Sequence, residues 1–178
     1  MHLFITGEIG AGKSTIVNSI LQKVHCPVYG FTTKRGSITP LGSDVFMYPA
    51  SGGEGRAIAV CRSHKEFSAD LDALNEFGMS LLAGIPDGAL VLMDELGFLE
   101  GKATAFCKQV LKTLDRNVTV LGAIKPLPDP FLDSVRAHPH VRLVKVTPQT
   151  RNAARSLAEG LFFGQAGAAQ NSFGSAIK

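Results

Sequence analysis

The sequence contains few cysteines, only three in 178 residues, and their positions exclude two kinds of small scaffold. Cys26, Cys61 and Cys107 lie far apart and form no Cys-x-x-Cys pair, so we expect neither a disulfide framework nor a zinc site. Free cysteines of this kind are usually small buried residues. We therefore expect three ordinary buried thiols and a reducing, cytoplasmic location.

Long hydrophobic runs and clustered positive charge are also missing. No stretch approaches the roughly 18 apolar residues of a transmembrane helix, and the first strand starts so early that we expect no signal peptide. The net charge is only +3, and the basic residues are scattered instead of forming the stripe typical of a nucleic-acid face. We expect no membrane partner; nucleic acid is unsupported, and a protein partner stays open.

Apolar segments of strand and helix type alternate along the chain, which predicts an α/β fold with a mostly parallel sheet covered by helices. We predict one domain over residues 1–163 and a mobile tail over 164–178, which lacks apolar periodicity. Short strands after the first helix predict an antiparallel insertion. The later predicted strands are 28–35, 44–50, 57–62, 89–93, 117–124 and 141–146, and the helices are 67–84, capped by Ser68, then 101–115, 130–138 and 151–163.

A glycine-rich segment near the N-terminus carries the most specific motif. The sequence GEIGAGKST follows a short apolar strand, precedes a helical pattern, and fits the phosphate-binding template G-x-x-x-x-G-K-[ST]. Backbone N–H groups and a helix N-terminus would then hold a nucleoside triphosphate, with Lys13 on the β/γ-phosphates and Ser14 on Mg²⁺. The predicted nucleotide-binding residues of this loop are Gly7, Glu8, Ile9, Gly10, Ala11, Gly12, Lys13, Ser14 and Thr15.

Two adjacent acids follow the apolar run ALVLM and resemble a Walker B element. Asp94 is predicted to hold Mg²⁺ together with Ser14, and Glu95 to orient or deprotonate a water aimed at the γ-phosphate. A water-activating acid beside the γ-phosphate would compete with any other acceptor. The pair therefore favours hydrolysis, with Lys13 and Glu95 as the catalytic residues.

Five segments, taken in order, resemble the small P-loop nucleoside-triphosphatase family of the thermophile and cancer-related type. They are GEIGAGKST, GFTTKR, DELGFLE, VLGAIK and VTPQTRN, and they span the chain from the first strand to the last helix. The resemblance implies a RecA-like core, slow Mg²⁺-dependent hydrolysis and broad base tolerance. Only Arg151 carries over directly from the family's Asn-Arg-Asp pattern after the last strand.

Arg151 falls in the first turn of the last predicted helix, which Thr147 would cap, and we expect its guanidinium to stack on the nucleotide base. The roles of Lys34, Arg35 and Glu100 stay open between solvated charge and function. We expect surface charge at four further basic residues, which are Arg56, Arg62, Lys125 and Arg142. Four histidines have no partner at metal-ligand spacing, and we expect structural or surface roles for them: His25, His64, His138 and His140.

Three functions are compatible with these residues. The first is hydrolysis of nucleoside triphosphates. The second is a kinase that transfers the γ-phosphate to a nucleotide or small molecule held by residues 31–62, and the third is a nucleotide-dependent switch or assembly factor. An acceptor-free assay of phosphate release separates the first two functions.

Overall fold

The sheet has eight strands in the spatial order β5-β4-β3-β2-β6-β7-β1-β8. The computed structural model describes residues 1–38, 42–62, 67–97 and 99–169. Strands β2, β6, β7, β1 and β8 run parallel, whereas β3, β4 and β5 extend the sheet in antiparallel fashion. The strands are β1 His2–Thr6, β2 Val28–Arg35, β3 Ser43–Pro49, β4 Arg56–Cys61, β5 Phe67–Ala69, β6 Leu90–Leu96, β7 Thr119–Ile124 and β8 Val141–Lys145.

Helices cover both faces of the parallel part of this sheet. They are α1 Lys13–Leu21, α2 Leu71–Ala73, α3 Thr104–Leu114, α4 Pro130–Ala137 and α5 Arg151–Ala169, with a π-helical segment Leu74–Gly78 directly after α2 and a 3₁₀ turn Glu100–Lys102 before α3. The α/β class, the mostly parallel sheet and the antiparallel insertion are confirmed. Among the described helices, none combines the length and apolar character that crossing a membrane requires.

Two hydrophobic clusters fix the helices to the sheet. Successive residues of a strand point to opposite faces: Leu3 and Ile5 of β1 join the cluster with α1 and α5, and Phe4 joins the cluster with α3 and α4. All three side chains are fully buried, and each such side chain contributes roughly 1.5–3 kcal/mol to stability. This anchoring on both faces holds the end of β1, and thus the glycine-rich loop, in a fixed position.

His2, which the sequence analysis did not consider, is buried at the start of β1. Its Nδ1 accepts the Val120 N–H at 3.2 Å, and its Nε2–H donates to the Leu114 carbonyl at 2.8 Å. Burial is the main cause that lowers the pKa of His2 to about 4. The neutral ring therefore ties β1 to β7 and to the end of α3.

Some predicted boundaries differ from the structure. Residues 67–69, predicted as the start of a helix, form strand β5 beside β4, and Asp70 caps α2 by accepting the Ala73 N–H at 2.8 Å. Ser68 is therefore a strand residue and does not cap the helix. Asp70, two positions after Ser68, is also a favoured capping residue, and it caps the helix because residues 67–69 pair with β4.

The C-terminal boundary also lies elsewhere. Helix α5 continues to Ala169, so residues 164–169 are helical where a mobile tail was predicted. Residues 170–178 lie outside the described part of the chain, and so does His64, for which a structural or surface role was predicted. The division into residues 1–163 and 164–178 stays a prediction. Cys61 is buried as expected, whereas Cys107 is half-buried and Cys26 is exposed, so the expectation of three buried thiols is wrong for Cys26 and holds only in part for Cys107.

Candidate nucleotide site

The glycine-rich loop joins the end of β1 to the start of α1, as its motif predicts. Gly12 precedes the helix with a φ of 110°, which a residue with a side chain rarely adopts, and a Cβ at Gly7 would collide with the Val146 carbonyl oxygen. Within the described residues, no side chain caps α1. The N–H groups of its first turn are therefore oriented for an anion.

Lys13 is the buried cation of this loop, with 7% of its surface exposed. Its Nζ donates to the carbonyl oxygens of Gly7 at 2.8 Å and Glu8 at 3.1 Å. It also lies 3.1 Å from Glu95 Oε1, as an ion pair without the angles of a hydrogen bond. A buried charge needs such partners, and they hold the ammonium between the loop and the end of β6.

Asp94 and Glu95 lie in the last residues of β6, not after the strand as predicted. Pairing between β6 and β7 shifts register between Met93 and Leu96, and the Asp94–Glu95 peptide bond is cis. The Glu95 N–H donates to Thr33 Oγ1 at 3.2 Å, which fixes the acid to β2. Both carboxylates therefore still emerge at the carboxyl edge of the sheet, beside Lys13.

Asp94 has the electrostatics of a cation ligand. Its Oδ1 is buried and has no hydrogen-bond partner. Burial, and then the charge of Glu95, raise the pKa of Asp94 to about 6, while Lys13 opposes this shift. A buried carboxylate oxygen without a donor is stabilised by a bound cation.

Most of the remaining residues of the loop and the first turn of α1 are exposed. Ser14 and Thr15 are exposed in the first turn of α1, and Glu8, Ile9 and Gly10 form the exposed crest of the loop. Ile9 has 90% of its surface exposed, which is unusual for so apolar a side chain. Ser14 is therefore accessible to a ligand held by the loop.

Arg151 reaches the same loop from the first residue of α5. Its Nε donates to the Ala11 carbonyl at 3.0 Å and its Nη2 donates to the Gly10 carbonyl at 3.1 Å. A Cβ at Gly12 would lie 2.7 Å from the Arg151 Nε, so the glycine also makes room for the arginine. These bonds use the N–H edge of the guanidinium; stacking on a base would use its face and stays a prediction.

The start of α5 explains how Arg151 is held. The Thr150 N–H donates to Thr147 Oγ1 at 3.2 Å, and the Thr150 carbonyl accepts the first helical bond from Ala154. The helix thus begins at residue 151 as predicted, but Thr150 and not Thr147 directly precedes it, and the Thr147 side chain binds the turn before the helix. Arg151 is its first residue and lies over the loop.

A cleft of about 330 Å³ opens beside Glu95, and we call it the β2–β6–β7 cleft. It is lined by residues at or just after the ends of those three strands, by Val45 of β3 and by Ile9 of the loop. The charged and polar lining residues are Thr33, Lys34, Arg35, Glu95, Glu100 and Lys125. Lys125 is half-buried and lines this cleft, although the sequence predicted a surface charge. Lys125 is the last residue of the segment VLGAIK, and the pairing of β6 with β7 brings it beside the end of β6.

Glu100 lies at the floor of this region with 3% of its surface exposed. Its Oε2 accepts the Gly97 N–H at 2.9 Å, which closes the turn after β6. Burial is the main cause that raises the pKa of Glu100 to about 7. Of the two roles that the sequence left open for Glu100, the structure excludes the solvated charge.

Comparison with known proteins places this arrangement in a family. A family model described as NTPase matches residues 2–157. The chain is 24% identical over 173 residues to the human cancer-related nucleoside-triphosphatase, covering 85% of this chain and 90% of that protein. It is 25% identical over 158 residues to nucleoside-triphosphatase THEP1 of Thermotoga maritima, covering 86% and 90%.

Solved structures show the same fold. The crystal structure of THEP1 from Aquifex aeolicus has a TM-score of 0.69 at 22% identity and covers 88% of this chain and 95% of its own. The solution structure of the human cancer-related nucleoside triphosphatase has a TM-score of 0.66 at 20% identity and covers 99% of both chains. With its phosphate loop, its Asp94–Glu95 pair and a family match over most of its length, the chain belongs to the NTPase family.

Proposed function

We propose that the protein hydrolyses nucleoside triphosphates to diphosphate and phosphate, with Mg²⁺ as cofactor and broad base tolerance. The single observation that carries this proposal is the 3.1 Å approach of Glu95 to Lys13. This ion pair connects the phosphate-binding loop to the carboxylate of Glu95 at the end of β6. A general base must lie near the group that binds the γ-phosphate, and Glu95 meets that condition.

The residues beside Lys13 fit a magnesium ion. Asp94 offers a buried oxygen without a hydrogen-bond partner, and Ser14 offers an exposed hydroxyl in the first turn of α1. Both are hard oxygen donors, and Mg²⁺ commonly takes only one or two protein ligands and completes its shell with phosphates and water. Among the described residues no group of three or more His, Cys, Asp or Glu forms a metal site, which agrees with such a sparse ligand set. The ion would neutralise charge on the phosphate oxygens.

The chain's own residues divide the work as follows. The first-turn N–H groups of α1 bind the phosphate chain, and the Lys13 ammonium stabilises charge on the leaving oxygen. Glu95 accepts a proton from water while the water oxygen bonds to the γ-phosphorus and the bond to the bridging oxygen breaks. Thr33 holds the Glu95 backbone in place through its 3.2 Å hydrogen bond.

Broad base tolerance is supported by the kind of contact the site makes. The loop acts through backbone groups and Lys13, all of which address phosphate. Arg151 contacts the loop through its edge, and the face of a guanidinium can stack on any base without reading its hydrogen-bonding pattern. We propose the cytoplasm as the location, since none of the three cysteines is in a disulfide.

The test is a phosphate-release assay without an acceptor, run with Mg²⁺ and ATP, GTP, CTP or UTP in turn. We expect release from all four nucleotides, and loss of release when Mg²⁺ is chelated. Release that starts only after a phosphoryl acceptor is added would make the protein a kinase. Release that starts only with a partner protein would favour the nucleotide-dependent switch.

A further inference from the structure

The β2–β6–β7 cleft is lined by the ends of three segments that carry the family resemblance, GFTTKR, DELGFLE and VLGAIK. Strands β2, β6 and β7 are parallel neighbours, so their carboxyl ends share one edge. The lining residues that follow or end them are Lys34 and Arg35, then Gly97, Leu99 and Glu100, and Lys125. Ligands of open α/β sheets bind at this edge. The cleft volume of about 330 Å³ falls at the lower end of small-molecule sites.

Positive charge exceeds negative charge in the lining of this cleft. Lys34, Arg35 and Lys125 contribute three cations. Of the two acids, Glu95 is already 3.1 Å from the Lys13 ammonium, and Glu100 is buried with its carboxylate bonded to the Gly97 N–H. Burial is the main cause that raises the pKa of Glu100 to about 7, and the charge of the neighbouring Lys125 opposes this shift. The cleft therefore favours an anion.

Local packing holds two of the cations in place. The Arg35 Nη2 donates to Cys61 Sγ at 2.8 Å, which uses one of the five guanidinium N–H groups. The Lys125 side chain lies against Gly97, where a Cβ would be 3.2 Å from its Cδ. The missing side chain at Gly97 thus lets Lys125 lie beside the turn that Glu100 closes. Cations held in this way lose little side-chain entropy when a ligand binds.

The cleft and the phosphate loop share two residues. Glu95 lines the cleft and pairs with Lys13, and Ile9 lines the cleft from the crest of the loop. A molecule in the cleft would therefore lie on the Glu95 side of the bound nucleotide. Since Glu95 is the residue that we assign to the γ-phosphate, the cleft adjoins that end of the phosphate chain.

We propose that the β2–β6–β7 cleft binds a second, phosphate-bearing anion next to the γ-phosphate of the nucleotide. This inference rests on the proposed function only for the position of the γ-phosphate. Two sources share this chemistry: inorganic phosphate left by hydrolysis, and an independent phosphomonoester. Arg35 and Lys125 are the residues that bind the anion, because guanidinium and ammonium groups are the donors that phosphate oxygens accept.

The test is a binding measurement and requires no turnover. The full-length protein is saturated with Mg²⁺ and ADP, so that the phosphate loop is occupied, and is then titrated with inorganic phosphate or with ribose 5-phosphate by calorimetry and ³¹P NMR. Lys125→Gln and Arg35→Gln are compared with Lys112→Gln, which removes the same charge as the lysine variant from an exposed position on α3. Circular dichroism checks that each variant is folded.

We expect saturable binding that weakens about tenfold or more in Lys125→Gln and in Arg35→Gln and is unchanged in Lys112→Gln. Binding of inorganic phosphate alone identifies the product as the anion, and binding of ribose 5-phosphate identifies a phosphomonoester. Absence of binding by either probe, equal affinity in all variants, or displacement of the probe by ADP would overturn the proposal. If ADP itself fails to bind, the proposed function fails, and the same titrations without ADP still test the cleft.

Discussion

The contact between Arg151 and the phosphate loop leads to a quantitative prediction. Replacement of Arg151 by alanine removes two charge-assisted hydrogen bonds, to the carbonyls of Ala11 at 3.0 Å and Gly10 at 3.1 Å. The first bond is partly buried and the second is exposed, so each contributes less than the roughly 1.5–3 kcal/mol of a buried bond to a charged group. About 1–2 kcal/mol in total corresponds to a fall of roughly 5- to 30-fold in kcat/KM.

The loop binds phosphate whatever the base, so kcat/KM is expected to fall by a similar factor for ATP, GTP, CTP and UTP. Arg151→Lys keeps the charge but lacks the planar guanidinium that presents Nε–H and Nη2–H side by side, and an intermediate value is expected. Arg155→Ala is the matched control, since Arg155 lies one turn later on α5 and pairs with Glu159 instead. A lower kcat indicates that Arg151 positions the loop, whereas a higher KM at constant kcat indicates stacking on the base. Unchanged kinetics for all four nucleotides, or a loss confined to one of them, would refute the reasoning.

Three further predictions concern single residues. Lys13→Ala is expected to remove most nucleotide binding or turnover at an unchanged circular dichroism spectrum, because the phosphates lose their buried cation; affinity and turnover equal to wild type would contradict this. Asp94→Asn is expected to require more Mg²⁺ for half-maximal turnover, since the Oδ1 without a partner loses its charge; an unaltered Mg²⁺ titration would remove Asp94 from the metal site. The pKa of His2 is about 4 in the folded chain, against 6.5 for a free histidine. The neutral ring therefore contributes up to about 3 kcal/mol to the free energy of unfolding above pH 6.5, and this contribution is lost as the pH falls toward 4. Urea unfolding at pH 7 and pH 5 is therefore expected to differ less in His2→Gln than in wild type, and an equal difference would show that His2 is not responsible.

The fold was largely predictable from the sequence because hydrophobic periodicity and turn residues report on local structure. Leu3, Phe4 and Ile5 predict a strand buried on both faces, and the glycines of the loop predict a tight turn into a helix. The start of α2 was missed for a physical reason. Residues 67–69 are compatible with a helix in isolation, and only pairing with β4 makes them a strand.

The candidate site was predictable where a motif fixes spacing along the chain. Lys13, Asp94 and Glu95 were predicted in this way, and the structure brings the first and the last of them within 3.1 Å. The position of Lys125 in the cleft was not predicted, because it depends on β6 and β7 being neighbours. The burial of Glu100 was not predicted either, because it depends on the path of the turn after β6. The contact between Arg151 and a loop 140 residues earlier likewise leaves no local signal.

The proposed hydrolysis depends most directly on Glu95, and Glu95→Gln tests it. The matched control is Glu54→Gln, which removes the same charge from an exposed position outside the nucleotide site. The measurement combines nucleotide affinity with a single-turnover assay of phosphate release from Mg²⁺–ATP in excess enzyme. We predict that Glu95→Gln binds the nucleotide and releases phosphate about 10²-fold or more slowly, because the amide cannot accept the proton of the attacking water. Phosphate release at the wild-type rate would contradict the assignment of Glu95 as the general base. A decrease in the release rate that is fully explained by a weaker nucleotide affinity would contradict it as well.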